Sequence, residues 1–288
     1  MSCRAVSLVL ATVGRTDDVG RLVQSLATQT LKDFELIVVD QNSDDRLLPY
    51  VAEASRMGLD LKHLRLHPPS LSGARNLGIA QSSGGVIAFP DDDCWYEPDV
   101  IERVVAAFKA HTDWEGVVVR WVEQWQAQTM PPDEPVLSRA RWHGFRGDCA
   151  SSISLFMSAK LMRRLDGFDS RLGVGQWFGA GEEVDFLLRA LAAGVHIGRC
   201  HVAKVHHRFG GARPGQFAQD WRDTQRRGRG TGALLAKHRM AWPVVVRCVV
   251  GPPVKAALQG QGVRGIGLGL AVGIGRLQGA LTWLWQQD

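Results

Sequence analysis

Short, mostly apolar runs alternate with stretches of helical period through roughly the first hundred residues. Val6 to Ala11, Phe34 to Val39, Leu61 to Leu66 and Val86 to Phe89 have strand length and strand composition. Between them, Val19, Leu22, Val23 and Leu26 fall on one face of a helix that opens with Asp17-Asp18, where the helix dipole favours acid. Leu47 to Met57 and Leu71 to Gln81 are the next helices, the second opening with Ser72-Gly-Ala-Arg-Asn-Leu-Gly78. This alternation predicts an α/β fold of βαβ units with a mainly parallel sheet, whose strand C-termini converge on one edge. Open α/β sheets bind ligands at that edge.

Further on, Glu97-Pro98-Asp99 introduces a helix that buries Val100, Ile101, Val104, Val105 and Phe108. Gly116 to Val122 is a strand. Gln124 to Trp142 is loop-like, with tryptophans suited to sugar or partner contact or, equally, to the core. Ser152 to Met157 is a strand, Ala159 to Leu165 a helix, and Gly167-Phe-Asp169 a turn. A glycine-rich loop then leads to a helix from Glu182 that ends at Gly194, with Val184, Leu187, Leu188 and Leu191 on its apolar face. Val202 to Val205 is a short strand running into His206-His207 and the basic turn Arg208 to Arg213.

The chemistry gathers where Val86–Phe89 ends in Pro90 and three consecutive carboxylates, Asp91, Asp92 and Asp93. Like charges ~4 Å apart repel by roughly 4 kcal/mol at an effective dielectric near 20. A positive group should therefore offset them. A divalent cation shared with substrate phosphates does so, whereas a solvated acidic turn is the bland alternative. Asp40 closes the second strand, so two separate acidic groups face one crevice, which favours a ligand site. Glu182 and Glu183 stand in a helix's first turn, either as good N-terminal residues or as a base held ionised. The histidines after Val205 divide evenly between ligand and ordinary strand-end residues.

With 288 residues, 45% hydrophobic and 22% charged, the chain has room for one large or two small domains. No basic and then apolar leader opens it, which leads to an expectation of a cytoplasmic protein. Five cysteines, widely spaced and without a Cys-x-x-Cys pair, suggest neither disulfides nor zinc. Charge is uneven: residues 1–198 carry a balance of −6 and residues 199–288 one of +11. An anionic membrane, a nucleic acid or an anionic substrate each suits such a tail, though no nucleic-acid motif accompanies it. Within the tail Ile266, Leu270, Ile274, Leu277, Leu281 and Leu284 form one helical stripe, with Trp283 and Trp285 near its end. Its longest uncharged apolar run is too short to cross a bilayer, so a helix lying in the interface of an anionic membrane competes with one packed through Gly265, Gly269 and Gly273.

Taken in order, these pieces resemble a family 2 glycosyltransferase of GT-A fold and bacterial polysaccharide type. The resemblance runs from about Val6 to about Gly211 through Thr12-Val-Gly-Arg15, Val38-Val-Asp40, Gly73-Ala-Arg-Asn-Leu-Gly78, Asp91-Asp-Asp93, Gly167-Phe-Asp169, Gly181-Glu-Glu-Val-Asp185 and the histidine after Val205. It implies a GT-A (Rossmann-like) domain over 1–215, with 216–288 as a basic, helical C-terminal extension. It also implies inverting transfer from a nucleoside-diphosphate sugar, UDP foremost, to a glycan acceptor. On the tail the resemblance is silent, and there the basic segment, apolar stripe and terminal tryptophans favour docking at the cytoplasmic face of the inner membrane, where a lipid-linked acceptor would be presented. Thr12, Arg15, Asp40, Arg75, Asp91 and Asp92 would meet the nucleotide, with Asp40 at the nucleobase and Asp91 on the ribose side. Mn2+ or Mg2+ would be held by Asp93 and Asp91 with His207, or with His206 as second choice. Glu183 matches the base, where the family more usually has Asp, and Glu182 or Asp185 stay open for that role. A catalytically silent nucleotide-sugar or glycan-binding module of the same fold is the alternative.

Overall fold

The computed structural model describes residues 4–123, 126–127, 135–145, 150–207 and 216–286. In chain order the strands are β1 Val6–Thr12, β2 Phe34–Asp40, β3 Leu61–Arg65, β4 Val86–Ala88, β5 Cys94–Tyr96, β6 Trp114–Glu123, β7 Gln126–Ala127, β8 Leu155–Ser158 and β9 His196–His207. The helices are α1 Asp17–Ala27, α2 Leu48–Arg56, α3 Leu71–Gln81, α4 Val100–Ala110, α5 Arg139–His143, α6 Ala159–Arg164, α7 Glu182–Ala192, α8 Phe217–Lys237, α9 Trp242–Leu258 and α10 Gly262–Trp285.

The first compact unit comprises residues 1–138, 148–167 and 189–209 and contains the whole sheet, in the order β3-β2-β1-β4-β8-β6-β9-β5, with β7 on β6. β3, β2, β1 and β4 are parallel, as the alternation requires. Beyond β4 the sheet is mixed: β8 runs antiparallel to β4 and β6, and β5 antiparallel to β9, while β6 and β9 are again parallel. The parallel pair β6–β9 is joined by a long connection that carries helices, as parallel neighbours need, and β8 enters between β4 and β6 in the opposite sense.

β1 and β2 are buried on both faces, which is why they read as nearly unbroken apolar runs. Their polar exceptions are paired: the Ser7 hydroxyl donates to Glu35 at 2.6 Å, and Ser83 and Lys62 donate to the same carboxylate. α3 lies directly on β1 because Gly78 has no side chain; a Cβ there would sit 2.2 Å from Val9.

Two expected strands change form. Ser152–Ser154 is a 3₁₀ turn and the strand starts at Leu155, because the Ser151 and Ser154 hydroxyls close the turn on each other's backbone. β9 starts at His196, six residues before the expected strand, and a bulge after Cys200 breaks its alternation on β6. Cys94, Cys200 and Cys248 are buried free thiols; Cys3 and Cys149 lie outside the described residues.

The second unit comprises residues 139–147, 168–188 and 210–288. Packing holds it together. Leu172 and Phe178 share a core with Ala233, Leu234 and Trp283, and Trp142 packs in a neighbouring cluster with Leu188, Leu235, Met240 and Cys248. Trp142 is thus a packing residue, while Trp125 lies outside the described residues.

Candidate active site

Thr12 and Asp40 are register partners at the C-terminal ends of β1 and β2, and the Asp91–Asp93 run follows β4 at the same edge. β5 then pairs Cys94 with His207, which brings the last residue of β9 beside the acidic run. His207 Nε2 is 2.9 Å from Asp93 Oδ1. His206, one residue away on the opposite face of the strand, instead stacks on Trp95 and meets Glu97 at 3.1 Å. The second choice among the histidines is therefore not brought to the acidic run. The basic turn Arg208–Arg213 lies outside the described residues.

Each carboxylate of the run has a cation or hydroxyl on it. Arg75, buried on α3, donates to Asp91 at 3.0 Å. Thr12 donates to Asp92 at 2.8 Å, and Arg15 reaches Asp92 at 3.3 Å and also pairs with Asp93. The protein itself thus provides part of the positive charge that the sequence demands. Burial pushes the Asp92 carboxyl up to about 6; Thr12 and Arg15 oppose the rise and Asp93 and Asp91 add to it. Burial also pushes Asp93 up, but hydrogen bonds from His207 and Arg15 outweigh it and the net shift is downward. For His207 burial favours the neutral ring, yet the hydrogen bond and charge of Asp93 raise its pKa.

Asp91, Asp93 and His207 each offer a ligand atom, and these atoms lie within 4.8 Å of one another. Two carboxylates and an imidazole are a donor set that suits Mn2+ or Mg2+ completed by phosphate and water oxygens.

Asp40 is fully buried. Its Oδ1 accepts from the backbone and side-chain amides of Asn42 at 2.9 and 2.8 Å, and its Oδ2 lies 3.1 Å from His63 Nε2. Asn42 in turn accepts from Gly14 N at 2.7 Å, and Gln41 accepts from Ser70 N, at the N-cap of α3. His63, Gln41 and Asn42 were not singled out from the sequence. The Asp-x-Asn spacing is an Asx-turn signal that could have found Asn42; His63 depends on the β2–β3 register, in which it sits beside Val38.

In the second unit, Glu182, Glu183 and Asp185 occupy the first turn of α7. Glu182 is buried and Glu183 half-buried. Asp185 is fully buried, with Lys237 Nζ at 2.8 Å and His238 Nε2 at 2.9 Å on one oxygen. Lys237 also bridges to Asp169 at 2.7 Å, and Arg171 meets Asp169 at the same distance. Asp185 is thereby committed to structure, leaving Glu183 as the more accessible acid of the turn. Sequence reading missed Lys237 and His238, which no local pattern links to α7.

Comparisons with known proteins bear on the family and the fold. EpsH of Bacillus subtilis is 32% identical over 113 residues, 39% of this chain and 33% of the relative. GlyA, a glycosyltransferase of Streptococcus pneumoniae, is 34% identical over 84 residues, 29% of this chain and 12% of that protein. The matches thus span a third or less of these relatives' own length. Among solved structures, S. aureus TarS 1-349 in complex with UDP-GlcNAc superposes with a TM-score of 0.60 at 15% identity, covering 96% of this chain and 92% of that one. The same fragment in complex with UDP gives 0.61 at 15% identity, over 99% and 92%. Such identity shows a shared fold. The profile of Glycosyl transferase family 2 matches residues 7–158, more than half of the chain and the part that holds Thr12, Arg15, Asp40, Arg75 and the three aspartates, and the chain belongs to that family.

Proposed function

We propose that the protein is an inverting, metal-dependent glycosyltransferase that moves a sugar from a nucleoside-diphosphate donor, UDP foremost, to a hydroxyl of a glycan carried on a lipid at the cytoplasmic face of the inner membrane. The observation that carries this reading is the convergence of Asp91, Asp93 and His207 at the ligand-binding edge of the sheet. The TarS fold bound to UDP-GlcNAc and UDP supports the donor class.

Bound at these three residues, Mn2+ or Mg2+ would supply the charge that stabilises a departing nucleoside diphosphate. Arg15 and Arg75 pair with the three aspartates and hold them in place. Asp40 meets the nucleobase by exchanging its bond to Asn42 or His63 for one to the base. Glu183 removes the proton from the acceptor hydroxyl as that oxygen bonds to the anomeric carbon and the bond to the diphosphate oxygen breaks. A single displacement without a protein nucleophile inverts the anomeric centre.

The test is thermal stability with UDP, GDP and dTDP, each with and without Mn2+. A ligand at ~100 times its dissociation constant stabilises the native state by about 2.7 kcal/mol. UDP with Mn2+ should raise the melting temperature of the natural chain and leave Asp93→Ala unmoved. An equal response from Asp93→Ala would remove Asp93 from the site, and binding without nucleoside-diphosphate release on any glycan acceptor would favour the silent module.

A further inference from the structure

The C-terminal helices of the second unit use their glycines and leucines in an unexpected way. A Cβ at Gly275 or Gly279 would sit 2.3 or 2.0 Å from the backbone oxygens of Gln225 and Arg229, so this side of α10 is closed by α8. At Gly269 and Gly273 the obstacles are the backbones of Pro253 and Val249, so a second side is closed by α9. The small-residue faces are thus consumed within the chain. These four glycines are therefore not available for close association with another helix.

The apolar stripe is what remains outside. Leu270, Ile274, Leu277, Leu281 and Leu284 are all exposed, Leu281 to 67%, while Trp283 turns inward and is buried with Leu234 and Phe178. α9 adds Val250, Val254 and Leu258, and the first turn of α10 adds Val263 at 89%. Of the 18 large hydrophobic residues exposed among the described residues, 11 fall between Trp242 and Trp285, so the exposure is concentrated on this hairpin. The pairs Pro253/Gly269, Val249/Gly273 and Cys248/Arg276 fix α9 and α10 as antiparallel. On helical wheels with that pairing, both stripes lie about a quarter turn or slightly more from the α9–α10 seam and on the same side, opposite α8. The antiparallel register also brings Trp242 (74% exposed) and Trp285 (79% exposed) to the same end of the hairpin.

Charge points to the occupant. Residues 241–286 contain Arg247, Lys255, Arg264 and Arg276 and no Asp or Glu; Arg264 pairs with Asp220 and Arg276 turns inward to the Cys248 carbonyl, so Arg247 and Lys255 carry the charge at the surface. Lys255 and Arg247 are exposed on α9 itself. No helix among the described residues is long and apolar enough to cross a membrane. A broad apolar face without acid, bordered by basic residues and carrying paired tryptophans at one end, is the chemistry of a helix pair lying in the headgroup region.

We propose that the outer face of the α9–α10 hairpin docks on an anionic phospholipid bilayer, with both helix axes parallel to the surface and Leu270, Ile274, Leu277, Leu281, Leu284 and Val254 entering the acyl boundary. The docking surface gives the proposed membrane-side transfer its means of attachment, and its test needs no substrate, so it can fail while sugar transfer stands.

The full chain is sedimented with vesicles of phosphatidylglycerol and phosphatidylcholine in equal parts, and with phosphatidylcholine alone. It should pellet with the anionic vesicles, release as salt is raised, and stay largely in the supernatant with the neutral ones. Lys255→Glu should weaken binding by roughly fivefold or more, since each basic residue near an anionic surface contributes about that factor. Leu277→Glu/Leu281→Glu replaces two exposed side chains and should reduce pelleting to the level without vesicles, with an unchanged circular dichroism spectrum and melting temperature. Undiminished binding by that double variant would overturn the proposal. So would a natural chain that ignores the vesicles and sediments as a dimer that the double variant splits, an outcome that assigns the face to a second copy.

Discussion

Replacing Lys237 by Met keeps the length of the side chain and removes one ammonium from between two carboxylates. Lys237 Nζ lies 2.7 Å from Asp169 and 2.8 Å from Asp185. Both acids keep a second cation, Arg171 on Asp169 and His238 on Asp185. Removing one partner of a buried ion pair costs ~3–5 kcal/mol, and the retained cations place this case at the low end, about 3 kcal/mol at neutral pH. The pH dependence has a definite sign. Burial pushes the Asp169 carboxyl up, but hydrogen bonds from Arg171 and Lys237 hold it well below the usual range. A depressed acid contributes stability above its unfolded pKa, near ~3.9, and that contribution is lost as pH falls further. The stability gap between the natural chain and Lys237→Met should therefore be full at pH 7 and close only as pH falls through the lowered Asp169 pKa, well below ~4. Urea unfolding followed by tryptophan fluorescence is suited to the test, because Trp283 lies 5.4 Å from Lys237 and 4.0 Å from Arg171. Lys237→Arg should recover most of the loss. Equal midpoints at pH 7, or a gap that widens as pH falls, would refute the ion-pair account, and an Arg variant no better than Met would assign Lys237 to packing. The consequence reaches the chemistry, since Asp185 is anchored two residues from Glu183 on α7.

Other perturbations probe the rest of the site and scaffold. Glu183→Gln should leave the stabilisation by UDP and Mn2+ intact and lower nucleoside-diphosphate release by roughly 10²–10⁴, the usual contribution of a general base; if Glu182→Gln shows that loss instead, the base is the buried neighbour. Glu35→Gln should destabilise the first unit by about 1.5–3 kcal/mol at pH 7, as expected for charged hydrogen bonds lost beneath the sheet. Burial raises the Glu35 pKa, but Lys62, Ser7 and Ser83 outweigh it and hold it at about 2. Its stabilisation therefore lies above the unfolded value near ~4.3 and vanishes as pH falls toward 2, so the melting temperatures of the two proteins should converge there.

What was legible in the sequence follows from how local each determinant is. β1, β2 and β4 were readable because burial on both faces leaves a nearly continuous apolar run. The Asp91–Asp93 run was readable because adjacent charges at a strand end need a cause that is visible in the run itself. The assignment between His206 and His207 was not, since strand alternation makes them opposite and only the pairing of β5 with β9 sets which one meets Asp93. His63 and Asp40 meet across a strand register, and Lys237 and Asp169 across 68 residues, so neither pair leaves a local trace. The tail is the most instructive case. Its 3.6-residue period correctly marks α10 as having an apolar stripe, and the ordinary inference from such a stripe is that it turns inward. Here the glycines determine the outcome. Side-chain-free positions at 269, 273, 275 and 279 let three backbones approach more closely than leucines would allow, so α10 buries these glycines with Ala271 and Trp283 and leaves its own leucine stripe outside. A periodicity identifies two faces of a helix, and steric room decides which one is buried. In α10 that choice turns what would have been a core stripe into a surface that calls for a partner.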